Sequence, residues 1–131
     1  MTSAAYDASR RYRGKEESVN TDSLPALAVA HLRNVNMGPD IVEYLERIDA
    51  TLEPYGGRFL VHGGTIDRLE GDWTGDLIIV QFPSREKARA WYESAAYQAI
   101  APLRKRNAEG ELILIDTVPA DHRATDILAR T

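Results

Sequence analysis

Positions 1–23 are polar and show no apolar period, and this pattern predicts a disordered or loosely docked extension. Tyr6 and Tyr12 could anchor a short amphipathic helix within it. The regular pattern begins at Ala26. Ala26-Leu27-Ala28-Val29-Ala30-His31-Leu32-Arg33 is apolar almost throughout, as a strand covered on both faces would be. Asn34 to Gly38 turn the chain, and Pro39 suits the first helical position because the N–H it lacks would have no partner there. Ile41, Tyr44, Leu45, Ile48 and Leu52 fall at helical spacing and form one apolar stripe, which Pro54 and Gly56-Gly57 end.

Arg58-Phe59-Leu60-Val61-His62 reads as a second strand, closed by a bend or bulge at Gly63-Gly64. The chain stays extended to Glu70 and turns through Gly71-Asp72-Trp73-Thr74-Gly75-Asp76. Leu77-Ile78-Ile79-Val80-Gln81-Phe82 is the strongest strand, stopped by Pro83. Ser84 makes a good helix N-cap, since its hydroxyl can accept an otherwise unpaired backbone N–H. The helix it opens presents Ala88, Trp91, Tyr92 and Ala95 along one side, and a second short helix follows Ser94, with Pro102 as its predicted end or kink. Glu111 to Val118 is the fourth strand, and the tail beyond Pro119 has only Ile127 and Leu128 as apolar anchors. The predicted organisation is an extension over 1–23, a domain over 24–119 and a tail over 120–131.

The order strand, helix, strand, strand, helix, strand, joined by right-handed crossovers, predicts an α+β ferredoxin-like antiparallel sheet. Its strand order would be 4-1-3-2, with the helices on one face. The strands, however, are apolar on both faces. Leu27, Val29, Ile78, Val80, Leu112 and Leu114 are expected on one face, and Ala28, Ala30, Ile79, Ile113 and Ile115 on the other. Helices cover one face only, so a second copy of the sheet is the economical cover for the other. The pattern predicts a homodimer.

Composition narrows the classes of function. The 131 residues suit a single domain, and a formal net charge of -4 argues against a nucleic-acid groove. The basic runs Arg10-Arg11-Tyr12-Arg13 and Arg104-Lys105-Arg106 lie near acids and read as solvated faces. With no cysteine there is no disulfide, thiolate metal site or cysteine nucleophile. No apolar run is long enough to span a bilayer and no secretory signal is visible, so a cytoplasmic location without membrane attachment is the expectation. No phosphate-binding glycine loop joins a strand to a helix, and no serine sits in a nucleophile elbow.

The stretches Tyr55-Gly56-Gly57-Arg58-Phe59-Leu60-Val61, Gly63-Gly64, Leu69-Glu70-Gly71-Asp72-Trp73, Phe82-Pro83-Ser84, Ala88-Arg89-Ala90-Trp91-Tyr92, Ser94 and Tyr97-Gln98 together form a specific signature. Over roughly residues 25–118 the chain resembles a bacterial family catalogued as domain of unknown function 1330, within the dimeric α/β-barrel superfamily. The resemblance implies the ferredoxin-like fold and the dimeric barrel, and says little about chemistry. Where it leads one to expect an arginine before the glycine pair, this chain has His62, which tells against an arginine-based anion contact there.

The candidate catalytic residues are His62 and Glu70. Alternation places Arg58, Leu60 and His62 on one strand face, so Arg58 and His62 could form a polar pair that binds an anion or moves a proton; the alternative is a solvated Arg58 and a hydrogen-bonded edge histidine. Glu70 could be a general base at a cavity mouth, or the Glu70-Gly71-Asp72-Trp73 segment could simply be a capped turn. The candidate substrate-binding residues are Arg58, His31, Trp73 and Tyr97. His31 is equally readable as a satisfied core residue, Trp73 as cover for the core edge, and Tyr97 as a packing aromatic whose hydroxyl needs a partner. Arg104 could approach the region of Tyr97. His31 and His62 lie two strands apart, roughly 9–10 Å at about 4.8 Å per step, and no third ligand completes a metal set. The expectation is therefore no metal and no cofactor. Two functions remain open: a cofactor-free enzyme or binder acting on a small organic molecule, and a non-enzymatic dimeric module binding a metabolite or a protein.

Overall fold

The computed structural model describes residues 24–130, without the side chain of Arg130. The predicted extension over 1–23 lies outside the described residues. Pro25–Asp116 forms one compact unit, and the residues from Thr117 onward belong to another.

The first unit is a four-stranded antiparallel sheet of β1 (Ala26–Arg33), β2 (Arg58–His62), β3 (Asp76–Phe82) and β4 (Glu109–Asp116), in the order β2-β3-β1-β4. Three helices accompany it, α1 (Pro39–Leu52), α2 (Arg85–Glu93) and α3 (Ala95–Lys105). This is the ferredoxin-like arrangement that the pattern of elements predicts.

Local chemistry accounts for the helix ends. Pro39 opens α1 from an extended Gly38. After one 3-10 turn, Gly56 takes a left-handed φ of 72°, and a side chain at Gly57 would come within 2.7 Å of the Phe82 ring. Ser84 and Ser94 cap α2 and α3 by accepting the backbone N–H of Lys87 and Tyr97, both at 3.2 Å. Pro102 does not end α3: the helix runs on to Lys105, with Pro102 on its exposed side.

Register decides which residues face the helices. Ala28 lies opposite Val80 and Leu114, and Ala30 opposite Ile78 and Leu112. The helix face of β1 therefore carries alanines. Leu27 and Val29, expected to side with Ile78 and Val80, point to the other face with Ile79, Ile113 and Ile115. The reason is that alternation fixes faces within a strand, while the pairing register sets them between strands. The helix-side core comprises Ala28, Val80 and Phe82 from the sheet with Ile48, Leu52, Ala88, Trp91, Tyr97 and Ile100 from the helices. The Trp91 indole N–H donates to Thr51 Oγ1 at 3.0 Å, and that hydroxyl donates to the Ile48 carbonyl at 2.7 Å, so this buried pair is satisfied.

On the opposite face Val61, Ile79, Val29 and Ile113 form a cross-strand row of branched aliphatic residues, with Leu27 opposite Ile115 beside it. Ile113 and Ile115 are 52% and 48% exposed in the protomer.

The second unit holds a 3-10 helix, Ala124–Arg130, whose start is tied by the Arg123 N–H donating to Asp126 Oδ2 at 3.1 Å.

Candidate functional site

Because the middle of β1 offers only Ala28 and Ala30 to the helices, the space above them is not filled. A cavity of about 90 Å³ lies there, between the sheet and α1 and α3. Tyr44, His62, Tyr97 and Arg104 supply its polar functions, and the remaining walls are mainly aliphatic and aromatic. The volume is well below the roughly 300–1,000 Å³ of pockets for drug-sized ligands, so it suits a small organic molecule and is too small for a dinucleotide or a haem.

The polar end is built from two helices. On α3, Tyr97, Ile100, Ala101 and Arg104 are all buried, a spacing of three, four and seven that defines one helix face. On α1, Tyr44 falls within the apolar stripe. The Tyr44 and Tyr97 hydroxyls are 2.8 Å apart, their rings edge to face, and Arg104 Nη2 donates to the Tyr97 hydroxyl at 3.4 Å. Burial, then the neighbouring Tyr97, pushes the Tyr44 hydroxyl far above the ordinary tyrosine range, so it keeps its proton. Burial works against the Arg104 charge. Attraction and hydrogen bonding to Tyr97, and then to Tyr44, outweigh it and raise the pKa.

His62 reaches the cavity through a break in alternation. Phe59 pairs with Val80 but Val61 pairs with Ile79, which leaves Leu60 as the extra residue of a β-bulge. The bulge carries His62 onto the face of Ile78, where its ring stacks on Phe59 at 4.5 Å. Arg58, opposite Gln81, stays on the other face. The expected sharing of one face by Arg58 and His62 is thus corrected, since a bulge resets the alternation. Gly63, with φ of 66°, makes the predicted bend after the strand.

His31 also faces away from the cavity. Its ring stacks on Trp73 at 4.1 Å, its Nδ1 accepts from Arg33 Nη1 at 3.1 Å, and its Nε2–H donates to the Thr74 carbonyl at 2.6 Å. Arg33 is held by a two-pronged pair with Glu111. This cluster fastens the loop before β3 onto the sheet. His31 and His62 lie on opposite faces, and among the described residues no three His, Asp or Glu side chains gather as metal ligands. Glu70 is exposed in that loop and does not line the cavity.

Of the residues singled out from sequence, the structure therefore brings His62 and Tyr97 to the cavity and leaves Arg58, Glu70, His31 and Trp73 outside it. Tyr44 and Arg104 complete the site. Arg104 reaches Tyr97 as the sequence suggested, while Tyr44 was not singled out, its one signal being a tyrosine within the α1 stripe.

Fold and site together define a small ferredoxin-like α+β protein with a partly open, mostly apolar cavity. The chain belongs to the family described as domain of unknown function (DUF1330), which matches residues 25–118. Among solved structures it is similar to RPA0582, a protein of unknown function from Rhodopseudomonas palustris, at 19% identity and a TM-score of 0.58, covering 74% of this chain and 85% of that one. It is also similar to SnoaB, a cofactor-independent oxygenase from Streptomyces nogalater (14% identity, TM-score 0.52, 76% of this chain and 99% of that one). A dimeric ferredoxin-like protein of unknown function from Thermobifida fusca matches at 11% identity and a TM-score of 0.51, over 79% of this chain and 100% of that one. At these identities the likeness is one of fold. No curated protein matches the chain. No helix among the described residues is long and apolar enough to cross a membrane.

Proposed function

We propose that this protein is a homodimeric binder of a small organic molecule, held in the cavity between its sheet and helices. The observation that carries this reading is the cavity itself: apolar walls with Tyr44, Tyr97 and Arg104 converging at one end. The row Val61, Ile79, Val29 and Ile113 supports the dimer, since it offers a self-complementary apolar surface, and the Thermobifida fusca neighbour is itself described as dimeric.

Cofactor-free turnover of the bound molecule is the second reading. It is favoured by His62, which sits at the cavity wall while exposed to solvent and so could pass a proton between the two. The oxygenase SnoaB lends it support through fold alone. The separation of Glu70 from the cavity weighs the other way, because a His62–Glu70 acid–base pair is not assembled within the protomer.

Filling the cavity tests the binding reading. Ala30→Leu places a side chain into the empty volume. A panel of small organic molecules should raise the melting temperature of the wild type and leave the variant unmoved, while the unliganded variant melts at or above the wild-type temperature. Equal shifts in both proteins would place binding elsewhere.

A further inference from the structure

We propose that the ligand is a small organic acid, its apolar body against the cavity walls and its carboxylate on Arg104 and the Tyr44–Tyr97 pair. The inference rests on the cavity being a binding site and adds the chemical class of what it binds.

The argument is a count of donors and acceptors. Arg104 is 8% exposed and its guanidinium can only donate. Its side-chain partners among the described residues are two neutral hydroxyls, that of Tyr97 at a long 3.4 Å and that of Tyr44. The two tyrosines bring two protons, of which the 2.8 Å contact between them uses one. Whichever tyrosine donates, one hydroxyl proton and most guanidinium N–H groups are left without an acceptor. The two α1 carboxylates that precede Tyr44 are engaged elsewhere, Asp40 with Arg106 and Asn107 and Glu43 with Arg47. A buried cation without a counter-charge is costly, and the lining contains no anion to supply one.

The missing partner is thus an acceptor with negative charge. A carboxylate matches the planar fork of a guanidinium and can take the spare hydroxyl proton as well. Inorganic phosphate would satisfy the donors but leave the apolar walls unused. The cavity volume limits the body to a short branched chain or a single ring.

Matched pairs decide the point: isovalerate against isovaleramide and benzoate against benzamide, titrated calorimetrically into wild type, Arg104→Met and Tyr97→Phe, with inorganic phosphate as a control. Wild type should bind each carboxylate roughly tenfold or more tighter than its amide. Arg104→Met should erase that preference, Tyr97→Phe should reduce it, and phosphate should not compete. Without ligand, Arg104→Met should melt no lower than wild type, because it removes a buried charge. Equal binding of acids and amides by wild type would overturn the inference while leaving the cavity as a binding site. Binding of neither series would overturn both. A preference that survives Arg104→Met, or phosphate competing on equal terms, would also overturn it. So would an Arg104→Met variant that melts well below wild type or does not fold, since Arg104 would then be structural.

Discussion

Buried polar side chains in this protein fall into two kinds, and the difference between them carries its chemistry. Trp91 and Thr51 are satisfied by one another and by the Ile48 carbonyl, so their hydrogen bonds serve stability. Thr51→Val keeps the shape but strands the indole N–H, and should cost about 1–3 kcal/mol in chemical denaturation. An unchanged midpoint would mean that the indole finds another partner. Arg104, by contrast, is buried with donors to spare. Its role is hard to read in a sequence because Arg104-Lys105-Arg106 looks like a solvated basic run. Only the heptad relation to Tyr97 separates Arg104 from its neighbours, and that relation requires α3 to continue through Pro102. Proline was tolerated because its ring lies on the exposed side, close to the end of the helix. Tyr97 was legible as a buried hydroxyl in need of a partner. Tyr44 was not, because a tyrosine within an apolar stripe looks like any other packing residue.

Elements show the same division between what is local and what is not. The Ser84 cap, the apolar stripe of α1 and the strand runs depend on neighbouring residues and were legible, although β4 lies two residues earlier than expected and the Ser94 cap was not read. The bulge at Leu60 and the register of β1 against β3 depend on pairing partners distant in sequence, so the faces of His62, Leu27 and Val29 could not be read from alternation alone. Two predictions belong at this scale. The loop between β2 and β3 is fastened by His31, through Trp73 and Thr74, and not by the cavity. His31→Ala should raise hydrogen exchange across residues 63–75 and leave carboxylate binding unchanged; slow exchange in the variant would show that the loop is held by other means. The second concerns the start of α1 and the end of α3. Hydrogen bonds from Asn107, and then Arg106, hold the Asp40 carboxyl below the ordinary aspartate range. A depressed folded pKa stabilises the fold above the unfolded value and loses that contribution as pH falls through the folded one. Asp40→Asn should therefore flatten the acid limb of the stability curve below about pH 4. A limb as steep as that of the wild type would assign acid sensitivity to other carboxylates.

For the whole molecule, the proposed binding site and the proposed dimer interface use opposite faces of one sheet: one face builds the cavity and the other presents the aliphatic row. The doubly apolar strands made an α+β sheet with a second apolar face legible from sequence, although the members of each face were partly interchanged. Ile113→Lys alters a side chain that is 52% exposed in the protomer, so folding should survive while sedimentation shifts from dimer to monomer. A variant that sediments as the wild type does would remove the outer face from the interface. The central claim, that the cavity holds a small molecule through Arg104, is tested most directly by native mass spectrometry of gently purified wild type and Arg104→Met. The predicted result is a wild-type dimer carrying the added mass of a small acid, which the variant lacks. A bare monomer, or an added mass that persists in Arg104→Met, would contradict it.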